Sequence, residues 1–275
     1  MMTEPEENRI KHSIMVMSGK GGVGKTTVAV NLGLGLALRG KKVGILDADI
    51  TGPDVPKMLK IEDAVLTGED DRTIRPVEIP VGADGELKVV SMAFVIGKES
   101  PVVWRGPLKI HMLKQFIEKV AWGDLDYMLI DLPPGTGDEP LSIAQLLRPD
   151  GTIVVSTPQD LALLDARRAI GMSRSLGVPV LGIVENMSGF SCPRCGGAID
   201  LFKVGGGERA AEELQVPFLG KIGIDPAICE SGDSGRPFIL SVQSKNSEPF
   251  DEIARRIMVH YESGDRDSWR KDRLL

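Results

Sequence analysis

Short apolar runs alternate along this chain with segments whose apolar residues recur every three or four positions. The runs predict buried strands at 14–17, 43–46, 87–92, 127–131, 153–156, 180–184 and 218–224. The helical spacing predicts helices at 28–38, 108–120, 161–176, 208–214 and 249–260. Buried strands that alternate with helices are typical of parallel sheets covered on both faces. We therefore predict an α/β fold with a doubly wound, mostly parallel β-sheet flanked by helices in three α/β/α layers.

The same pattern predicts one large domain between two polar ends. Residues 1–11 are acidic and are expected to form a flexible leader. The domain is expected to span 12–261, with an excursion at 52–86 that is rich in Gly, Pro and acidic residues and that could hold a short hairpin. Residues 262–275 mix both charges, and their apolar face is too narrow for a membrane anchor. We expect them to form a solvated or partner-contacting tail.

A glycine-rich stretch follows the first predicted strand and opens the first predicted helix. Residues Gly19–Thr26 match G-x-x-x-x-G-K-[ST], in which backbone N–H groups and the helix N-terminus bind phosphate. In this pattern Lys25 neutralises the β- and γ-phosphates of a nucleotide, and the Thr26 hydroxyl binds Mg²⁺. We therefore expect nucleotide contacts from Gly19, Lys20, Gly21, Gly22, Val23, Gly24, Lys25, Thr26 and Thr27.

Carboxylates follow two other predicted strands, on the sheet edge where this loop is expected. Asp131 ends an apolar run and is expected to hold Mg²⁺ directly or through water. It opens the segment 131–138, whose glycine amides are expected to sense the γ-phosphate. Asp49 is expected to orient or deprotonate the attacking water, and Asp47 to assist Mg²⁺ or Lys25. The alternative for Asp47 and Asp49 is a pair of solvated loop acids.

Two further polar residues each have a functional and an ordinary interpretation. Asn186 ends a buried strand and could hydrogen-bond adenine, or it could simply cap the strand end. Arg105, within Trp-Arg-Gly-Pro, could contact phosphate or a subunit interface, although a surface salt bridge is the more common role of such an arginine. We include Asn186 among the expected nucleotide-binding residues.

Cys192 and Cys195 form a C-x-x-C pair shortly after this strand. Such a turn points both sulfurs the same way, so the pair can hold one edge of a metal site. Cys229 stands alone, and none of the three histidines has ligand-like spacing. One chain therefore lacks ligands for a four-coordinate site, whereas two-fold symmetry would supply two cysteines from each subunit. Zn²⁺ and a [4Fe–4S] cluster both accept four cysteines, and a redox dithiol or inert thiols are the alternatives.

Composition and charge limit the classes of function. The 275 residues are 42% hydrophobic and 26% charged, which is ordinary for a soluble globular protein. With 33 basic and 39 acidic residues, the net charge of −6 gives no general attraction to nucleic acid or to an anionic membrane. No apolar run reaches the length of a membrane span, and three cysteines do not make a disulfide framework. We expect a cytoplasmic protein without nucleic-acid or membrane partners.

A lysine that the phosphate-binding pattern does not require, Lys20, indicates a family resemblance. With Lys20 directly after its first glycine, the loop resembles the deviant Walker A loop of the MinD, ParA and nitrogenase iron protein group. In that group the early lysine reaches across a dimer interface to the partner's nucleotide. The resemblance implies an ATP-linked homodimer, and a solvated side chain is the alternative for Lys20.

Several motifs together look like the Mrp/ApbC family of iron–sulfur cluster carrier ATPases, over about residues 12–260. They are Gly19–Thr27, Asp47–Pro53, Trp104–Pro107, Asp131–Asp138, Thr157–Asp160, Glu185–Ser188 and Cys192–Cys195. The resemblance implies a homodimer that bridges a labile [4Fe–4S] cluster and needs ATP to deliver it to apo-proteins. It assigns Lys20, Lys25 and Thr26 to the nucleotide, Asp49 to hydrolysis, Asp131 to Mg²⁺, and Cys192 and Cys195 to the cluster.

One departure from the family concerns the N-terminal segment. Residues 1–12 hold no counterpart of the four-cysteine site of eukaryotic relatives, and the accessory domain of some bacterial members is also missing. A second, stable cluster is therefore not expected.

These observations leave one leading hypothesis and two alternatives. The leading hypothesis is a cytoplasmic ATPase that assembles a cluster between two subunits and transfers it, with Lys20, Lys25 and Asp49 as its catalytic residues. The first alternative is a MinD- or ParA-like positioning ATPase, which the charge of −6 and the mixed tail disfavour. The second is an electron-transfer protein like the nitrogenase iron protein, which would keep its cluster while it is reduced and reoxidised.

Overall fold

Strands and helices alternate along most of the chain, as the hydrophobic pattern predicts. The computed structural model describes residues 8–70, 73–95, 106–192, 194–241 and 247–263. In chain order the elements are β1 (Arg9–Met17), α1 (Lys25–Ala37), β2 (Lys42–Asp47), α2 (Val55–Met58), β3 (Thr67–Asp70), β4 (Thr73–Arg75), β5 (Val77–Val81), β6 (Gly85–Ser91), α3 (Gly106–Lys119), β7 (Asp124–Asp131), α4 (Asp138–Leu147), β8 (Gly151–Ser156), α5 (Asp160–Ser175), β9 (Val180–Glu185), β10 (Phe190–Ser191), β11 (Ala198–Ile199), α6 (Gly206–Glu213), β12 (Phe218–Lys221), α7 (Pro226–Ser234), α8 (Phe238–Ser241) and α9 (Glu248–Glu262).

The main sheet confirms the predicted doubly wound arrangement. Its strands lie in the order β12-β9-β8-β1-β7-β2-β6-β5. Neighbouring strands are parallel, except that β5 runs antiparallel to β6. Strand β1 lies between β7 and β8, and connections leave this point toward both sides of the sheet. Ligands bind at the carboxyl ends of the strands at such a point. The loop after β1 therefore lies at the ligand-binding edge.

Helices cover both faces of the sheet and create two apolar cores. Along β1, Ile14 and Val16 belong to one core and Met15 and Met17 to the other, as the alternation of side chains in a strand requires. Helices α1, α2, α7, α8 and α9 cover the first face, and α3, α4, α5 and α6 cover the second. The three α/β/α layers are thus confirmed. In the described ranges, no helix is both long and apolar enough to cross a membrane.

The first strand begins earlier than the apolar run indicates. Strand β1 includes residues 9–11, which the sequence assigns to the leader. Arg9 pairs with Asp124 at 2.8 Å and Lys11 with Asp126 at 2.6 Å, on the neighbouring β7. These side chains are polar because this end of the strand reaches solvent, so no apolar pattern marks it.

Four of the described helices are absent from the predicted set: the four-residue helices α2 and α8, and the longer helices α4 and α7. Helix α7 exposes most of its surface, and its start is marked by capping instead of by periodicity. Pro226 occupies its first turn, and Asp225 Oδ1 accepts a hydrogen bond from the Ala227 amide at 2.9 Å. Helix α4 likewise begins with two acidic residues and a proline, which suit a helix N-terminus.

The excursion at 52–86 holds more structure than the single hairpin expected there. It contains α2, the antiparallel pair of β3 and β4, and β5, which pairs antiparallel with β6 at the end of the segment. Two other expectations, for Trp104 with Arg105 and for the tail from residue 264 onward, lie outside the described residues.

Candidate functional site

The loop between β1 and α1 has a backbone that depends on glycine. Gly22 and Gly24 have φ of +77° and +83°, in the left-handed region that glycine adopts without strain. A Cβ atom at Gly19 would lie 2.2 Å from the carbonyl carbon and oxygen of Asp165 in α5, so only glycine fits there. The loop ends at Gly24, the N-cap of α1. The N-terminus of a thirteen-residue helix therefore opens onto this loop, as phosphate binding requires.

Lys25, Thr26 and Asp131 meet directly beneath the loop. Lys25 Nζ lies 2.6 Å from Asp131 Oδ1, and the Thr26 hydroxyl donates to Asp131 Oδ2 at 2.7 Å. Both Lys25 and Asp131 are buried. Burial raises the pKa of Asp131 above its usual value, against the opposing effect of the Lys25 ammonium and of the two hydrogen bonds.

Asp49 lies at the open side of this group. Its Oδ2 is 3.8 Å from Lys25 Nζ, while Oδ1 accepts hydrogen bonds from the Thr51 hydroxyl at 2.7 Å and from the Gly52 amide at 3.3 Å. One carboxylate oxygen is thus fixed by the following turn. The other faces the lysine whose predicted role is to bind the γ-phosphate. The structure brings Asp49 into the predicted site, as a buried acid instead of a solvated one.

Asp47 lies deeper, at the end of β2. It is fully buried and stands opposite Asp131 in the register of β2 and β7. The Ser91 hydroxyl donates to Asp47 Oδ2 at 2.7 Å, and Ser91 occupies the matching position on β6. Burial, and then the charge of Asp131, raise the pKa of Asp47 well above its usual value. Sequence reasoning missed Ser91, because only the pairing of β2 with β6 brings it to the site.

The segment after β7 folds over the glycine-rich loop. The Gly135 amide donates to the Ser18 carbonyl at 2.9 Å, and Gly135 has φ of +96°. Pro134 lies 3.9 Å from the position that a Cβ of Gly21 would occupy. This contact places the predicted γ-phosphate-sensing segment beside the loop that would hold the phosphates.

Lys20 and Asn186 lie at different depths of the same loop. Lys20 is half-buried, and its side chain has no hydrogen bond or ion pair within the described part of the chain. Asn186 is buried, and its Nδ2 donates to the carbonyl of Val23 at 2.9 Å. A Cβ at Gly24 would lie 2.2 Å from that same nitrogen. Asn186 therefore supports the loop from below, and its contact with adenine stays a prediction.

The two cysteines occupy the turn of a small antiparallel hairpin. Strands β10 and β11 form its legs, with Phe190 opposite Ile199. The Cys192 amide donates to the Gly197 carbonyl at 2.9 Å, which closes the turn. Hydrogen bonds from the amides of Cys195 and Arg194, and from the Cys195 thiol, lower the pKa of the Cys192 thiol. Both thiols therefore lie on one side of an accessible turn, where metal or cluster ligation would stabilise their thiolates.

The described residues of a single chain contain no group of three or more His, Cys, Asp or Glu placed to hold a metal ion. The cysteine pair accordingly offers two ligands. For Mg²⁺, the Thr26 hydroxyl and the Asp131 carboxylate are hard oxygen donors, and they already lie within hydrogen-bond distance of each other. This donor set fits a magnesium ion bound together with nucleotide phosphates.

Glu185 ends β9 and was not predicted to have a role of its own. Its carboxylate is fully buried. It accepts hydrogen bonds from the Ser188 hydroxyl, from the Gly205 amide at 2.9 Å and from the Gly207 amide. It therefore ties together the two ends of the segment that carries the cysteine hairpin.

The fold and the site define a class. A parallel sheet with a glycine-rich phosphate loop after β1 and a carboxylate at the end of β7 is that of a P-loop nucleotide-binding protein. A family model described as ParA, NUBPL iron-transfer P-loop NTPase, matches residues 9–258. The chain belongs to this family. The resemblance to iron–sulfur cluster carrier ATPases that the motifs indicated is thereby confirmed.

Relatives match nearly the whole chain. An iron-sulfur cluster carrier protein of Methanocaldococcus jannaschii is 46% identical over 263 residues, which cover 93% of this chain and 87% of that protein. The cytosolic Fe-S cluster assembly factor CFD1 of Eremothecium gossypii is 50% identical over 256 residues, which cover 90% of this chain and 88% of that protein.

Solved structures share the fold. A nucleotide-binding protein of Archaeoglobus fulgidus in complex with ADP superposes with a TM-score of 0.74 at 40% identity, covering 87% of this chain and 91% of that chain. The cell division ATPase MinD of Pyrococcus furiosus gives a TM-score of 0.65 at 27% identity, covering 90% and 98%.

Proposed function

We propose that this protein is a cytoplasmic ATPase that assembles a [4Fe–4S] cluster between two copies of the chain and transfers it to apo-proteins. The observation that carries the proposal is a physical connection: the cysteine hairpin follows directly on Asn186, whose side chain supports the phosphate loop. The names of the relatives, cluster carrier protein and cytosolic cluster assembly factor, agree with it.

ATP hydrolysis is assigned to the residues beneath the loop. Lys25 would neutralise the phosphates, and Asp49 would orient the water that attacks the γ-phosphorus as the bond to the β–γ bridging oxygen breaks, releasing ADP and phosphate. Mg²⁺, held through Thr26 and Asp131, would supply charge stabilisation to the phosphate oxygens. Lys20 would act on the nucleotide of the partner, since its own chain gives it no counterion in the described residues.

The homodimer is proposed because one chain supplies half of the thiolate ligands. A [4Fe–4S] cluster takes four thiolates, and each chain brings Cys192 and Cys195 to one accessible turn. Beside this turn lies an apolar surface patch, which we define as Leu161, Leu164, Ile199, Leu201, Phe202 and Val204, all exposed. An ion pair between Lys203 and Asp160 at 2.6 Å holds its two halves together. Apolar residues grouped in this way mark surfaces that bind partners.

The cluster is tested by anaerobic reconstitution with iron and sulfide. We expect about four irons per two chains, and none after the double change Cys192→Ser/Cys195→Ser. Cys229→Ser is the matched control, since this cysteine is exposed but lies on α7, away from the hairpin sequence, and the variant should load fully. A full cluster in the double variant would refute the proposal. Stoichiometric Zn²⁺ with no iron would show that the cysteines bind a structural zinc ion instead of a cluster for transfer.

Transfer is tested separately, by incubating the loaded protein with an apo iron–sulfur protein. We expect the cluster to move to the recipient faster with ATP than without it. A cluster that stays in place while it is reversibly reduced during ATP turnover would instead establish an electron-transfer protein. ATP-dependent sedimentation with liposomes or DNA would establish a positioning ATPase.

A further inference from the structure

Glu185 is a buried carboxylate that the nucleotide chemistry does not use. It lies at the end of β9 with no exposed surface, and its hydrogen bonds go to two separate parts of the chain. One partner is the Ser188 hydroxyl, just before the cysteine hairpin. The others are the amides of Gly205 and Gly207, just after it. The three bonds close the base of the loop that carries both thiols.

The outgoing side of this loop, residues 188 and 189, is also fixed, to the segment that follows β12. The Ser188 amide donates to the Ile222 carbonyl, and the Ile224 amide donates to the Gly189 carbonyl, each at 2.8 Å. On the returning side, residues 203–207, Lys203 forms an exposed ion pair with Asp160 of α5, and the amides of Gly205 and Gly207 at the start of α6 face Glu185. There the carboxylate also interacts favourably with the helix N-terminus. Glu185 therefore holds the returning side in register with the outgoing one.

The residue next to Glu185 connects the same point to the phosphate loop. Asn186 donates through Nδ2 to the Val23 carbonyl at 2.9 Å, and its amide donates to the Ser156 carbonyl at 2.8 Å. Met187 follows with φ of +57°, an uncommon conformation for a side chain of this size. A shift of the Val23 carbonyl when phosphates fill the loop would act on Asn186, and through the adjoining peptide on Glu185.

We propose that Glu185, together with Asn186, is the positioning junction that transmits occupancy of the nucleotide site to the thiols of Cys192 and Cys195. The proposal rests on the proposed function only in taking these thiols as the cargo site. By linkage, a nucleotide that changes the state of the thiols must itself bind with an affinity that depends on that state. Glu185 contributes by holding the two sides of the hairpin as one unit, so that displacement at Asn186 reaches both sulfurs.

The test uses the apo protein, so that cluster loading does not enter. In a Cys229→Ser background, the rate of maleimide alkylation of the hairpin thiols is measured without nucleotide, with ADP and with a non-hydrolysable ATP analogue. We expect at least one nucleotide to change the rate by about fivefold or more, the lower end of common coupling factors. In Glu185→Gln the ratio should fall to within about twofold of one, because an amide then faces the Gly207 amide and that bond is lost.

Two controls separate transmission from loss of structure. Ser173→Ala removes a buried hydroxyl that bonds the Val178 carbonyl at 3.0 Å and Thr152 at 2.7 Å, away from the junction, and should keep the full nucleotide response. Nucleotide affinity of Glu185→Gln, measured by calorimetry, should stay within about threefold of the parent while the thiol response disappears. A general structural defect would lower both the nucleotide affinity and the response of the thiols to nucleotide.

If Glu185→Gln fails to fold, Ser188→Ala decides, because it removes only the hydroxyl bond to the carboxylate. It should then reduce the thiol response without removing it. A parent protein whose thiols ignore nucleotide, or a variant at either position that keeps the full response, would overturn the inference. Failure of the proposed function is distinguished by reconstitution, since a protein that holds no cluster can still show a nucleotide-dependent thiol rate.

Discussion

Lys25 is the residue on which the charge balance of the nucleotide site depends. In the described part of the site its ammonium faces Asp131 at 2.6 Å and Asp49 at 3.8 Å, and Asp47 lies behind them. Asp131 thus holds the lysine that phosphates would need. Binding of a nucleotide therefore competes with an internal ion pair, and Mg²⁺ would relieve this competition by taking over the carboxylate.

Because of this competition, one substitution should lower the rate of ATP hydrolysis and yet strengthen nucleotide binding in the absence of Mg²⁺. Asp131→Asn should lower kcat for ATP hydrolysis by at least ~100-fold, because the carboxylate proposed for Mg²⁺ is lost. The same change should strengthen ADP binding in EDTA, since Lys25 is then released from its ion pair. The measurements are steady-state phosphate release and calorimetry. Asp126→Asn, on the same strand but paired with the exposed Lys11, is the control and should change neither. Weaker ADP binding in EDTA would contradict the competition.

Asp47 predicts how stability depends on pH. Its pKa in the folded state is raised by burial, so between about pH 4, the usual range of an aspartate, and that raised pKa the folded state binds more protons than the unfolded state. The contribution of Asp47 to the free energy of unfolding therefore falls as pH rises through this window. Asp47→Asn removes that loss. The free energy of unfolding of the variant, minus that of the parent, should therefore be larger at pH 7.5 than at pH 4.5.

Urea unfolding of the nucleotide-free protein at the two pH values measures this difference. Asp54→Asn, at a half-exposed carboxylate on the same loop whose pKa is also raised by burial, is the comparison and should give a smaller pH-dependent gain. A difference between Asp47→Asn and the parent that does not change with pH would contradict the assignment.

At the scale of elements, the phosphate loop is fitted against α5. Gly19 lies so close to the Asp165 backbone that no side chain fits between the loop and the helix. Helix α5 begins at the apolar patch with Leu161 and Leu164. A surface proposed to meet a second chain is thus part of the element against which the loop is packed.

Two glycines of the loop make this packing testable. Gly19→Ala should lower the free energy of unfolding by about 1–3 kcal/mol and weaken nucleotide binding, because its Cβ would overlap the Asp165 backbone. Gly21→Ala is the matched control in the same loop. Its Cβ would meet only Pro134 at 3.9 Å, an ordinary contact, so the free energy of unfolding should change by less than about 0.5 kcal/mol. Equal effects of the two substitutions would show that α5 does not constrain the loop.

Contiguous patterns in the sequence predict the elements and residues that depend on neighbours along the chain. The apolar runs predict the parallel strands, and the stretch Gly19–Thr26 predicts the phosphate loop with Lys25 and Thr26. No such pattern predicts Ser91 or Glu185. Ser91 reaches the site because β2 pairs with β6, and Glu185 meets the Gly205 amide because the chain returns to it twenty residues later. Helices α4 and α7 are not predicted either, because little of their surface is apolar and buried.

In the whole molecule, the proposed four-thiolate centre requires two chains. The apolar patch groups side chains that are costly to leave in water, next to a cysteine pair that offers two ligands. Leu161 is 73% exposed and Leu164 54% exposed, both on the first turn and a half of α5. We propose that a second copy of the chain covers these two side chains in the dimer.

Charged residues in this patch should prevent association without unfolding the chain. Leu161→Asp/Leu164→Asp should weaken dimerisation at least ~10-fold in analytical ultracentrifugation with nucleotide and cluster present. The thermal midpoint of the apo monomer should stay close to that of the parent, because exposed positions contribute little to folding. Val65→Asp, 77% exposed on the connection between α2 and β3, should leave association unchanged. An unaltered dimer in the double variant would place the interface elsewhere.

The central claim is that each chain supplies half of a shared centre. Native mass spectrometry of the anaerobically reconstituted protein tests it most directly, because it counts chains, iron and sulfide in one particle. We expect a particle of two chains with four iron and four sulfide ions, and we expect the Cys192→Ser/Cys195→Ser variant to contain neither iron nor sulfide. A single chain that carries a complete cluster, or two chains that each keep a separate metal ion, would contradict it.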